Sequence, residues 1–203
     1  MGNIEDFLLW VGAAGSSGFL AVVLIEGWMR PGYSPVRHPV SALALSPRGW
    51  IQVVNFAVAG LAIIAGGIGV LLQGTGLVLA LSIMVFGSGL VCSAFPMDPS
   101  RGYPPGAPEG DPTQQSWHHR IHDHAGAVVF FSLPVVAVVA VFVLPVWWMK
   151  LIAGAMTAFL SVSIYFWDQA WQNDSPRTGL AQRVFIFPGW LWVASVFSVL
   201  AIE

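Results

Sequence analysis

The amino-acid sequence predicts an all-α, polytopic membrane protein, a bundle of six transmembrane helices. Two observations support this fold class. The chain of 203 residues is 56% hydrophobic and 9% charged, whereas about 25% of the residues in a soluble domain are charged. Apolar runs of about 20 residues are long enough to cross the hydrocarbon core as helices. Six such runs occur, at about 7–29, 50–73, 75–96, 123–147, 148–168 and 182–202.

The first run is predicted to be a membrane span and not a cleaved signal peptide. Its flanking segment, MGNIED, is acidic where a signal peptide is basic. Gly2 is not expected to be myristoylated, because Asp6 stands where that motif requires Ser or Thr. We find no internal repeat, and we therefore predict a single domain over residues 1–203.

The charged residues are sorted to one end of the predicted bundle, the end formed by the first, third and fifth loops. These long loops are 30–49, 97–122 and 169–181. All five histidines lie at this end, and so do all charged residues except Glu5, Asp6, Lys150 and Glu203. Seven arginines lie there, against Lys150 alone at the other end. By the positive-inside rule, loops 1, 3 and 5 are predicted to be cytoplasmic and both termini extracellular, in the cell membrane.

Small residues recur along the first three runs, where they let helix backbones approach closely in lipid. They include Gly12, Ser16, Gly18, Gly60, Gly66, Gly67, Gly69, Gly87 and Gly89. We predict that they pack helices together and have no chemical role. Most of the ten tryptophans fall near the ends of the runs, which is typical of a membrane interface.

The stretch SWHHRIHDHAG, residues 116–126, contains four of the five histidines and leads into the fourth apolar run. Upstream of it, Asp111 is suited to an N-cap, Pro112 to the first helical position and Gln114 to the third. This pattern predicts that a helix begins near residue 112 and carries the histidines into the membrane.

The spacing of the histidines on this helix predicts a ligand cluster. His118 and His122 lie four residues apart and share a helix face, so both can bind one zinc ion or another divalent metal. Asp123 follows His119 by four residues and can orient its imidazole, whereas His124 points elsewhere. The alternative stays open that the histidines only hydrogen-bond the third loop.

A metal site of this kind needs further ligands, together with acids and bases nearby. The predicted metal ligands are His118, His122, His38 and Glu26. The predicted catalytic residues are Asp98, His119, Asp123 and Asp168. Glu26 and Asp168 lie in the last turns of apolar runs, where a charge is costly and usually functional.

Other groups at the same end suggest a phosphate-bearing substrate and a cover for it. The arginines predicted to hold a phosphate headgroup are Arg37, Arg101, Arg120 and Arg183. The third loop has six prolines within residues 96–112 and is either a lid over the polar end or a stiff spacer. Ser41 is predicted to be a helix cap or a turn residue and not a nucleophile beside His38, because no G-x-S-x-G motif surrounds it.

Three motifs carry a resemblance to a known family. In chain order they are RHPVSALALSPRGW in the first loop, FPMDP after the third run, and HHRIHDHAG at the start of the fourth. Together they resemble the prokaryotic membrane protein family called domain of unknown function 998, over nearly the whole chain. The resemblance implies a six-helix membrane bundle. It implies no established activity, so no catalytic residue is carried over from it.

Three functions are compatible with these observations. The favoured hypothesis is a metal-assisted hydrolase or transferase that acts on a membrane lipid or lipid-linked substrate. The second is a non-catalytic scaffold that binds a lipid or a partner at its polar end. The third is a small-solute or proton-coupled transporter, which would need ionisable groups near the bilayer midplane. No haem, nucleotide or nucleic acid is expected as a ligand.

Overall fold

The structure, a computed structural model, describes residues 3–203, and all the named secondary-structure elements in that range are helices. Gly2 lies outside the described residues. The helices are α1 (Ile4–Met29), α2 (Gly49–Leu72), α3 (Leu77–Cys92), α4 (Trp117–Val143), α5 (Trp147–Gln172) and α6 (Thr178–Leu200). A short 3-10 helix, Val40–Ala44, lies in the first loop. The predicted all-α bundle of six helices is therefore confirmed.

Five of the six helices are long and apolar enough to cross a membrane. The sixth, α3, has 16 residues. At about 1.5 Å per residue it is roughly 24 Å long, less than the hydrocarbon core of about 30 Å. The predicted third run, 75–96, is thus shortened at both ends: Gly76 caps its start, and the chain turns after Ser93.

The helices form a closed ring in chain order. Each helix packs on the next one, and α6 returns to pack on α1. Short connections join α2 to α3 and α4 to α5, while the long loops collect at the opposite end. The helix order therefore brings loops 1, 3 and 5 together, as the alternating loop lengths predict.

The interior of the ring is apolar and centres on Trp190 of α6. The Trp190 ring stacks on Phe19 of α1, with ring centroids 5.4 Å apart, and meets Phe86 of α3 edge-on at 4.9 Å. All three side chains are fully buried. Because these aromatic rings come from three helices, they fix the distances across the bundle.

Glycines set the closest helix contacts, as predicted. A Cβ atom added to Gly60 of α2 would lie 2.6 Å from the Gly87 carbonyl oxygen, and one added to Gly87 would lie 2.8 Å from the Gly60 carbonyl oxygen. Gly12 and Gly66 make room in the same way for the Phe197 ring. Gly18 differs, because a Cβ atom there would meet nothing within 4 Å and its helix face is exposed.

Helix α4 begins at Trp117, so the predicted start near residue 112 is wrong. The N-cap is Ser116, whose hydroxyl accepts the His119 N–H at 3.2 Å. Asp111 is instead an ion-pair partner of Arg101. A hydroxyl that reaches the third residue of the helix caps it directly, and this local contact outweighs the weaker Asp-Pro signal upstream.

Candidate functional site

A groove of about 610 Å³ lies between α4 and α5 at the end of the bundle that carries the long loops. We call it the α4–α5 groove. It exists because small residues face each other across the two helices, Gly126 and Ala127 on α4 and Ser161 on α5. Of the five long helices, α5 is also the least buried. The inner wall of the groove is the stacked pair Phe130 and Trp167, with ring centroids 4.1 Å apart.

The mouth of the α4–α5 groove is apolar and faces outward. Phe131 of α4 and Tyr165 of α5 line it and are 65% and 60% exposed. Ile164 lines the same wall. In a bundle that spans a membrane, an outward face of this composition meets acyl chains, so the groove opens sideways toward lipid.

His122 forms part of the groove's inner end and is only 8% exposed. Its Nδ1 lies 3.0 Å from the Ser93 carbonyl oxygen and 2.8 Å from that of Phe95. Because both neighbours are acceptors, Nδ1 must carry the proton and donate. In the neutral ring Nε2 is then an acceptor, and it has no hydrogen-bond partner within residues 3–203.

Two more polar side chains join His122 there. Gln182 of α6 is 5% exposed, and its Oε1 accepts the Val40 N–H at 2.7 Å, which leaves its NH2 group free to donate. The Ser41 hydroxyl donates to Met97 Sδ at 3.3 Å. Ser41, His122 and Gln182 also line a small inner cavity of about 40 Å³ that continues into the bundle. We call these three residues the polar floor.

His119 also lines the groove, but both of its nitrogens have partners. Its Nδ1 accepts the Asp98 N–H at 2.8 Å, and its Nε2 lies 3.2 Å from the Asp123 carboxylate. The Asp98 carboxylate accepts the Ser116 N–H at 2.7 Å. Burial raises the pKa of Asp98, but hydrogen bonds from Ser116 and the nearby histidines outweigh it and bring that pKa below its ordinary value. This network ties the third loop to the start of α4.

The four predicted metal ligands do not meet. Glu26 is buried and paired with Arg30 and with Arg48, the latter at 2.5 Å. His38 lies in the first loop, where its Nδ1 accepts the Ser34 N–H at 3.0 Å. Within residues 3–203, no group of three or more His, Cys, Asp or Glu side chains is arranged to hold a metal ion.

His38 and His118 both lie outside the groove lining. Burial lowers the pKa of His38 below its ordinary value, and the Arg37 and Arg183 charges act in the same direction. His118 stacks on Trp117 with ring centroids 3.7 Å apart, which turns it away from the groove lining. A shared helix face therefore does not bring His118 and His122 to one site.

None of the four predicted phosphate-binding arginines lines the groove. Arg37 pairs with Glu109 on the surface, and Arg120 is exposed near the start of α4. Arg183 donates to the carbonyl oxygens of Pro35 and His38 at 2.7 and 3.0 Å and so anchors the first loop.

Arg101, the fourth of these arginines, fastens the third loop to the end of α5. Its guanidinium lies 3.8 Å from the centre of the Trp171 ring and pairs with Asp111 and Asp174, at 3.0 and 2.9 Å. The third loop also contributes Met97, Ser100 and Asp111 to the groove lining. The loop therefore covers the loop end of the groove, which favours a cover over a plain spacer.

Of the eight residues predicted to be metal ligands or catalytic residues, four line the α4–α5 groove: His119, His122, Asp123 and Asp168. Asp98 lies behind His119, and the other three lie elsewhere. The Asp168 carboxylate is exposed to the groove and forms no ion pair or hydrogen bond within the described part of the chain. Sequence reasoning missed Gln182, although a glutamine inside the sixth apolar run is a signal of the same kind as Glu26.

A family model described as "Protein of unknown function (DUF998)" matches residues 13–199. The chain belongs to this family. The DUF998 match spans the whole groove, from Ser41 to Gln182, and includes the three sequence motifs quoted above. Comparison with curated proteins and with solved structures finds no match.

Proposed function

We propose that this DUF998 protein binds an amphipathic molecule of the lipid class in the α4–α5 groove. One observation carries the proposal: the groove opens sideways through an apolar mouth and ends on buried polar side chains with unused hydrogen-bonding groups. Ligand sites in proteins are usually concave and mostly apolar, with a few polar groups that fix orientation. The ligand's chain lies between Phe131 and Tyr165, and its head reaches the polar floor.

The polar floor supports this orientation energetically. A buried imidazole nitrogen or amide without a hydrogen-bond partner costs free energy, and a bound head group removes that cost. His122 supplies an acceptor and Gln182 a donor, so a head with both kinds of group fits. By the positive-inside rule, we place this end of the groove at the cytoplasmic face.

Photolabelling in lipid nanodiscs tests the proposal. The probes are a long-chain alcohol and a long-chain amine, each with a diazirine near the end of the chain. We expect adducts on Phe131, Ile164 and Tyr165 to exceed those on Leu24 and Ile25, which are exposed on α1. Equal labelling of the two surfaces with both probes would show that the groove is ordinary lipid-facing surface, and the proposal would fail.

A second candidate function is hydrolysis or transfer on the bound molecule, and His122 is the observation that favours it. Its Nδ1 is held by two carbonyl oxygens, so Nε2 is oriented as a general base. Nε2 takes a proton from a water molecule, and the hydroxide attacks an ester carbonyl whose oxygen accepts from the Gln182 amide. The C–O bond then breaks, and the leaving alcohol takes the proton from His122. No metal ligand set is needed for these steps.

Hydrolysis of a long-chain ester in nanodiscs tests the second candidate. His122→Asn keeps a donor toward the Ser93 and Phe95 carbonyls but removes the base, so we expect activity to fall by about two orders of magnitude or more. His124→Asn is the matched control, because His124 is exposed and outside the groove lining. Equal activity in the two variants would exclude His122 as the base.

A further inference from the structure

The carboxylates are the only formally charged side chains among the described residues that line the α4–α5 groove. Three aspartates line it, and within residues 3–203 no arginine or lysine does. Asp111 has Arg101 as its partner and Asp123 has His119, whereas Asp168 has none in the part of the chain that the structure describes. A cleft with one sign of charge and apolar walls concentrates ligands of the opposite sign and repels those of its own. An anionic head group is therefore disfavoured here.

His122 independently indicates a ligand that donates hydrogen bonds. Its side chain is more than nine-tenths buried, and its free Nε2 is an acceptor within the groove lining. A protonated amine carries only donors and satisfies this nitrogen and a carboxylate together. Gln182, also on the polar floor, offers donors and so accommodates a hydroxyl or carbonyl oxygen of the same head.

We infer that the ligand of the α4–α5 groove is a long-chain amine, with its ammonium group on Asp168 and its chain in the apolar mouth. The inference rests on the proposed function, and it names the head-group class that the proposed function leaves open. A primary alkylamine is protonated at neutral pH, since its pKa is close to that of a lysine side chain. At membrane depth, Asp168 then gains the partner that an acid needs there.

The experiment compares three diazirine probes with the same chain, whose heads are a primary amine, an alcohol and a phosphate. Labelling of Phe131 and Tyr165 is divided by labelling of Leu24 and Ile25 in the same molecule, which corrects for unequal partition into the nanodisc. We expect this ratio to be about tenfold higher for the amine than for the alcohol, as one charge-assisted hydrogen bond implies, and lowest for the phosphate.

Variants assign the preference to one carboxylate. Asp168→Asn should abolish the preference for the amine, and Asp168→Glu should retain it. Glu109→Gln removes a charge from the same face outside the groove and should leave the preference unchanged. A ratio as high for the alcohol or phosphate overturns the inference but leaves the proposed function standing, and so does an amine preference that survives Asp168→Asn. If no probe labels the groove above the α1 face, the proposed function itself fails.

Discussion

Replacing Gly126 with leucine should fill part of the α4–α5 groove without harming the fold. Gly126 lines the groove on α4, and a Cβ atom built on it meets nothing within 4 Å. A leucine side chain therefore extends into the space proposed for the ligand's chain. Because glycine destabilises a helix interior by about 0.5–1 kcal/mol relative to good helix formers, the fold itself should become slightly more stable.

The size of the effect on binding follows from the volume that the new side chain takes. Leucine adds four carbon atoms, which exclude about four methylene groups of a bound chain. Each buried methylene contributes about 0.8 kcal/mol, so the loss is about 3 kcal/mol, or roughly 100-fold in the dissociation constant. The dissociation constant is read from saturation of groove labelling by the diazirine amine in nanodiscs, and stability from thermal unfolding in detergent.

Gly18→Leu provides the matched control. Gly18 also lies in the interior of a long helix, it is exposed, and a Cβ atom there meets nothing within 4 Å. It faces outward from α1 and away from the groove lining. Both variants should unfold at or above the wild-type temperature, and only Gly126→Leu should lose binding. Unchanged affinity in a folded Gly126→Leu protein, or equal losses in the two variants, would refute the assignment of the ligand to this groove.

Three further predictions concern the loops and the orientation of the chain in the membrane. Glu26→Gln leaves the buried Arg30 charge without its partner and should lower the free energy of unfolding by about 3–5 kcal/mol. Glu109→Gln breaks an exposed pair and should change that free energy by less than about 1 kcal/mol, so similar losses in the two variants would contradict the structural role of Glu26. The folded-state pKa of Asp98 lies below its ordinary value of 3.8, so the ionised carboxylate stabilises the fold above that pH, and this contribution is lost as the pH falls through the folded-state pKa. The stabilities of wild type and Asp98→Asn should therefore converge at low pH, and stabilities that stay apart would contradict this. In a background without the native cysteine, Thr113→Cys should react with a membrane-impermeant maleimide only from the cytoplasmic side and Glu203→Cys only from outside, and the reverse pattern would invert the proposed orientation.

The outcome at the histidines shows where sequence reasoning stops. The sequence places His118 and His122 on one helix face, and that relation holds within α4. Their different neighbours then separate them. The Ser93 and Phe95 carbonyl oxygens hold His122 in the groove, whereas the Trp117 ring holds His118 outside it. Helix periodicity specifies the direction in which a side chain points from its own helix. It carries no information about the groups of other elements that the side chain contacts.

Glu26 and Asp168 show the same limit in the opposite sense. Both are acids near the end of an apolar run, so the sequence treats them alike. In the fold Glu26 pairs with Arg30 and Arg48, while Asp168 faces the groove and has no partner within the described residues. The cost of an acid near hydrocarbon is a local property. Arg30 lies only four residues after Glu26, but Arg48, which pairs with the other carboxylate oxygen, comes from the far end of the first loop.

The sequence by itself determined the membrane class, the all-α bundle of six helices and the gathering of polar residues at one end, since hydropathy and helix length are properties of each segment. Tertiary structure decided which polar residues meet. The ring order of the helices brings Ser41, His122 and Gln182 to one floor, although they lie on three separate elements. The groove beside them exists because small residues on α4 and α5 leave a space that no other side chain fills, and only the packed bundle reveals such a space.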